Sequence, residues 1–261
     1  MVLVFDVGNS NIKIGFYKGE ELIQSARFST EVGKTSDEYG LMLVNAFNYA
    51  GLDIKSVEGS IMSSVVPSIN YTIEHMVRTF FGLELVSVGP GTKTGMNILY
   101  DNPKEVGADR IVTSIAAYEK VKDACIVVDF GTATSFNAVN KSGSFLGGAI
   151  MPGIKVSMEA LVENASKLPR IELAQPETSI GRNTVSNMQS GIVNGFVGAV
   201  DNIVHLMQEE LGGARVMATG GLARLIAPLS TTIEQIDGRL ALQGLLTVYN
   251  RNKAYKESKE V

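Results

Sequence analysis

The sequence predicts an α/β protein of two similar half-domains, each a mixed β-sheet flanked by helices. Three observations carry that prediction. Val2-Leu3-Val4-Phe5 is an apolar, largely β-branched run that drives into Asp6-Val7-Gly8; after a polar break, alternation resumes at Ile12, Ile14 and Phe16. This is a strand, a tight turn and a second strand. The same logic returns at Ala124–Val139, where Asp129 and Gly131 stand as Asp6 and Gly8 stand in the first copy. Self-similarity within one chain outweighs either motif alone, and chance likeness of two hairpins is the alternative. Lastly, helix-period stretches follow the strands in both halves. The halves are placed at 1–117 and 118–261, with both acid-bearing turns facing one cleft.

The bulk properties agree. The chain has 261 residues, 45% hydrophobic and 19% charged, enough for a substantial core. A net charge of −4 leaves no electrostatic footprint for nucleic acid. The basic tail Arg251–Lys259 mixes both signs and is expected to fray. No leader pattern or membrane-length apolar run is present, so a cytoplasmic protein is expected. The single cysteine, Cys125, lies in an apolar run, which excludes an internal disulfide framework and predicts an inert buried thiol. His75 and His205 fall on helix-like faces far apart in sequence, so any metal chemistry must use oxygen ligands.

Taken in order, Glu21–Ser29 alternates as a third strand. Thr35 and Ser36 cap a helix with apolar positions at Tyr39, Leu43 and Phe47, ended by Gly51. Val57–Val66 is a strand closing in Ser63-Ser64; paired hydroxyls there can line a ligand cleft or simply make a turn. Ser68 is expected to cap the next helix, stopped by Gly82, and Leu85–Val88 is a short strand. Gly89–Gly95 matches neither common nucleotide fingerprint and is predicted to be a flexible loop. Phe145–Gly153 is a strand entering a glycine-flanked turn, and Ile154–Leu168 is helical. Gly181–Thr184 opens the longest helix, to about Leu211. Its small residues Gly191, Gly195 and Gly198 suggest close packing, including against a partner subunit. Val216–Gly221 runs into a Gly-Gly turn suited to a base and ribose, and Asp237–Tyr249 closes the chain as a helix.

Two stretches bear chemistry. In the first turn a carboxylate (Asp6), a glycine that admits a ligand (Gly8) and Lys13 suit a metal-bound phosphate; a plain hairpin with a polar turn is the other reading. In the second, Pro103 precedes a helix face at Ile111, Ile115 and Tyr118, so Asp109 and Arg110 sit at its first turn. Asp109 is either a favourable acid at the positive helix end or a carboxylate aimed into a cleft, with Arg110 able to clamp an anion.

These residues resemble type III pantothenate kinases, within the actin, sugar kinase and heat-shock ATPase superfamily, over nearly the whole length. The resemblance rests on Asp6–Lys13, on Asn102-Pro103 through Gly107-Ala108-Asp109-Arg110, on Asp129–Thr134 and on Gly147–Gly153. It implies an actin-like (ribonuclease H-like) fold. The activity implied is ATP-dependent phosphorylation of pantothenate to 4'-phosphopantothenate, the first step of coenzyme A biosynthesis. By the same resemblance, Asp6, Val7, Gly8, Asn9, Ser10, Asn11, Ile12 and Lys13 bind ATP phosphates. Asp6 also holds Mg2+, through water, and Thr132 touches ATP. Asp109 is the general base; Tyr100, Gly107, Ala108, Asp109, Arg110 and Thr184 contact pantothenate. Asp129 binds a monovalent cation, K+ or NH4+, and the protein is a homodimer. Ser10, Asp101 and Ser135 depart from the usual residues without removing a needed group. A catalytically inactive regulatory relative, another small-molecule kinase of the superfamily and an actin-like filament protein are the rival readings.

Overall fold

The computed structural model describes residues 1–260; Val261, the last residue of the expected second half, lies outside them. The chain forms two compact units. The first contains residues 1–96, 101–116 and the C-terminal helix; the second contains residues 97–100 and 117–239. A division near 117 was expected, but the chain does not stay on one side of it. The closing helix, assigned by sequence order to the second half, packs in the first unit.

In the first unit, β1 (Val2–Val7), β2 (Asn11–Lys18), β3 (Glu21–Ser29), β4 (Gly59–Ser64) and β5 (Leu85–Ser87) form one sheet in the order β3-β2-β1-β4-β5. The β1–β2 and β2–β3 pairs are antiparallel; β1–β4 and β4–β5 are parallel. Side chains alternate across β1. Leu3, Phe5 and Val7 enter a core with Tyr39, Leu43 and Phe47 of α1 (Ser36–Ala50) and Ile73, Met76 and Val77 of α2 (Asn70–Phe81). The opposite face of the sheet is covered by α7 (Leu240–Glu260). There, a side chain at Gly59 would collide with the Tyr249 ring.

Local chemistry explains most boundaries. Thr35 and Glu38 make a reciprocal capping box on α1, and Gly51 ends it in the left-handed region at φ 65°. Ser68 is not a cap, contrary to expectation: Pro67–Ile69 forms a 3-10 turn, which flows into α2 without a side-chain cap. The expected strand Val57–Val66 pairs only over Gly59–Ser64, and the expected closing helix is shifted and longer. The basic tail expected to fray is its last stretch, and this stretch anchors the Gly89–Gly95 loop. The Asn252 side chain accepts from the Lys93 N–H at 3.0 Å and donates to the Lys93 carbonyl at 3.1 Å. Arg251 donates to the Thr94 carbonyl.

The second unit repeats the sheet. With β6 (Cys125–Phe130), β7 (Ala133–Val139), β8 (Phe145–Pro152), β9 (Arg215–Gly220) and β10 (Gln235–Ile236), the order is β10-β9-β6-β7-β8. The pairs β6–β7 and β7–β8 are antiparallel, and β6–β9 and β9–β10 are parallel. Read from the other edge, this is the first sheet again, strand for strand. Ile126, Val128 and Phe130 meet Val193, Phe196 and Val200 of α5 (Thr184–Leu211) and Ala223 and Ile226 of α6 (Ala223–Ile226). The helix α4 (Ile154–Asn164) stops short of the expected Leu168. Asn183 caps α5 with Ser186, and Cys125 is fully buried, which pushes its thiol up to about 12.

Candidate active site

In the first unit the acid-bearing turn lies at the C-terminal ends of the parallel strands β1 and β4, where open α/β sheets place ligands. The Gly8 N–H donates to the Asn11 carbonyl at 3.0 Å, closing the turn. A Cβ on Gly8 would lie 3.2 Å from that same carbonyl, so the turn has little room for a side chain. Just past the end of β3, the Thr30 hydroxyl donates to the Gly8 carbonyl at 2.6 Å, and the Thr30 N–H donates to the Ser10 carbonyl at 3.1 Å. Thr30 therefore holds the turn from outside. Sequence reading missed it, because only cross-strand register brings it there.

Asp6 is nearly buried, at 7% exposure, and both carboxylate oxygens accept hydrogen bonds. Lys13 Nζ lies 3.3 Å from Oδ2, and Ser63 Oγ lies 3.2 Å from Oδ1. Register explains the pairing: Lys13 on β2 and Ser63 on β4 are the residues directly opposite Asp6. One polar row thus crosses three strands.

Asp109 and Arg110 occupy the first turn of α3 (Ala108–Val121), as their spacing predicts. Burial lifts the Asp109 carboxyl above its ordinary range, and the Asp6 carboxylate pushes the same way; the Arg110 N–H and guanidinium pull it partly back. The Arg110 N–H donates to Asp109 Oδ1 at 2.9 Å. A Cβ on Gly107 would sit 2.5 Å from that oxygen, so glycine is what leaves the carboxylate its place. Asp6 through Lys13 and the Gly107–Arg110 turn belong to one unit, and Asp109 senses the charge of Asp6.

The other expected site residues belong to the second unit. The Gly131 N–H donates to the Ala133 carbonyl at 3.0 Å, closing a turn one residue tighter than its counterpart. Asp129 stands opposite Thr219, and its Oδ1 rests where a Cβ of Gly220 would be, at 2.5 Å. The Thr132 carbonyl accepts from the Gly153 N–H at 3.1 Å, tying the turn to the start of α4 (Ile154–Asn164). Tyr100 lies beside Gly147, its ring centroid 6.4 Å from that of Phe145. Thr184 is exposed at the first position of α5.

Among the described residues, no three His, Cys, Asp or Glu side chains cluster as a metal cage. The donors present still fit the cations expected. A divalent ion carried by a nucleotide takes most ligands from phosphate and water and needs only one or two carboxylates, a donor that Asp6 could supply. The Asp129 carboxylate could likewise give a hard monovalent ion an oxygen donor.

The duplicated sheets with flanking helices define the actin-like fold. A solved structure of ethanolamine utilization protein EutJ from Carboxydothermus hydrogenoformans matches it with a TM-score of 0.53 at 15% identity, covering 93% of this chain and 88% of that one. The particular family comes from sequence. The type III pantothenate kinase family model matches residues 2–206. The type III pantothenate kinase of Geotalea uraniireducens is 54% identical, covering 97% of this chain and 99% of that protein. The one from Geobacter sulfurreducens is 52% identical, covering 97% and 100%. This chain belongs to the type III pantothenate kinase family.

Proposed function

We propose that this protein transfers the γ-phosphoryl group of ATP to the primary hydroxyl of pantothenate, giving 4'-phosphopantothenate and ADP in coenzyme A biosynthesis. The observation that carries the reading is Asp109, a carboxylate made more basic by burial, beside the Asp6–Lys13 turn. Phosphoryl transfer leaves the protein mainly positioning and charge neutralisation. Asp6 through Lys13 bind the phosphates, with Lys13 directed at the anion and the Gly8 turn allowing close approach. The pantothenate oxygen forms the new bond to γ-phosphorus as the bond to the β-phosphate oxygen breaks, and the hydroxyl proton passes to Asp109. A raised pKa suits that late acceptance. Arg110 holds the pantothenate carboxylate, with Tyr100, Gly107, Ala108 and Thr184 completing the substrate contacts.

Asp6 would hold the Mg2+ carried by ATP, and that ion would supply neutralisation of phosphate charge. Asp129 holds K+ or NH4+, and Thr132 touches ATP. The protein works as a homodimer: a Cβ on Gly191, Gly195 or Gly198 would meet no atom within 4 Å, so this chain leaves that stripe of α5 uncovered. A cytoplasmic location follows from the pathway, and no helix among the described residues is long and apolar enough to cross a membrane. An inactive relative is disfavoured by the presence of Asp6, Lys13, Asp109 and Asp129. A coupled assay of ATP turnover with and without pantothenate, in potassium and in sodium, tests the proposal. Pantothenate-dependent ADP release stimulated by potassium is expected; absence of that release overturns it.

A further inference from the structure

We infer that Ser63 is a positioning residue for the nucleotide site, holding the Asp6 carboxylate in the one orientation that meets a phosphate-bound cation. The inference rests on the proposed role of Asp6. Ser63 is fully buried, at 0% exposure, on a strand rather than in the turn its sequence allows. Packing alone does not require a hydroxyl there, since Ile61, two residues earlier on the same face, is apolar and equally buried. The Ser63 hydroxyl donates to Asp6 Oδ1 at 3.2 Å, across 57 residues of sequence. Lys13 takes the other oxygen from the opposite side. Rotation of the carboxylate would break a hydrogen bond on each flank, so the two donors fix the plane of the group.

The second sheet supplies independent support. At the place matching Ser63, on the parallel neighbour of the acid-bearing strand, stands Thr219, opposite Asp129 and only 3% exposed. The Lys13 place in that row is held by Ser135. The row therefore keeps a buried hydroxyl beside its acid while the third member changes from amine to hydroxyl. What the two copies share is the acid with a hydroxyl on the parallel side.

The test is equilibrium binding of Mn2+ with the β,γ-methylene analogue of ATP, followed by electron paramagnetic resonance, together with steady-state kinetics. Losing a hydrogen bond to a charged group predicts that Ser63→Ala weakens Mn2+–nucleotide binding by roughly tenfold or more. KM for Mg-ATP should rise by a similar factor, with KM for pantothenate unchanged. Ser63→Thr, which installs the residue the second sheet uses, restores most of the affinity. Wild-type binding in folded Ser63→Ala, or equal loss in Ala and Thr variants, overturns the positioning role. Asp6→Asn separates the two levels. If it binds Mn2+–nucleotide like wild type, the role of Asp6 itself falls; if it binds weakly while Ser63→Ala does not, only the Ser63 inference falls.

Discussion

Asp109 carries opposite consequences for stability and for catalysis. Its folded pKa is raised by burial and by Asp6, so the folded state binds its proton more tightly than the unfolded chain does. The stability this contributes is present below the unfolded pKa and is lost as pH rises through the folded one. At neutral pH the ionised carboxylate therefore opposes folding. Asp109→Asn should lower kcat by about 10²–10⁴ while nucleotide binding persists. The same variant should melt no lower than wild type at pH 7, as differential scanning calorimetry would report. In wild type, kcat/KM should fall on the acid side with an apparent pKa above that of an ordinary carboxylate. Asp129→Ala should flatten the potassium titration and leave the acid limb in place. Asp109 and Arg110 could be placed from sequence because a proline and a helix period locate the first turn of α3. The shifted acidity could not, since it depends on Asp6, a residue remote in the chain.

Elements impose their own demands, and two positions expose them. A Cβ on Gly244 of α7 would lie 1.9 Å from the Val112 carbonyl of α3. Gly244→Ala must drive these helices apart, and overpacking of this kind typically costs about 1–3 kcal/mol. Urea unfolding should show that loss, with reduced kcat because α3 begins at the Asp109 turn. Asp201 of α5 anchors the loop before β10. Burial pushes its carboxyl up, but hydrogen bonds from the Ser230, Thr231 and Thr232 hydroxyls and the Thr231 N–H prevail and bring it down to about 2. A depressed folded pKa gives stability that is present above the unfolded value, near 3.9, and lost as pH falls toward about 2. Asp201→Asn should lower Tm at neutral pH, with the gap from wild type closing through that acid window. Thr35, Gly51 and Gly82 were legible as helix ends because caps are local chemistry. Ser68 was not, because a preceding proline turned the chain into 3-10 geometry first.

At the scale of the molecule, two sheets of one topology arise from one chain, and each puts an acid at the end of its central strand. The homodimer proposal belongs here: light scattering coupled to size exclusion should give twice the chain mass of 27.9 kDa. Gly195→Glu, on the open face of α5, should shift the protein to the monomer while leaving its helical circular dichroism unchanged. By itself the sequence determined the duplicated strand–turn–strand, the helix that presents Asp109, and the family. Strand period, turn residues and contiguous motifs are properties of neighbouring residues, so they survive in one dimension. Only the tertiary structure decided that Thr30 ties the first turn, that the last helix packs in the first unit, and that Lys13, Asp6 and Ser63 form one row. Those relations depend on pairing register and on which face a helix covers, and residues far apart in the chain set both.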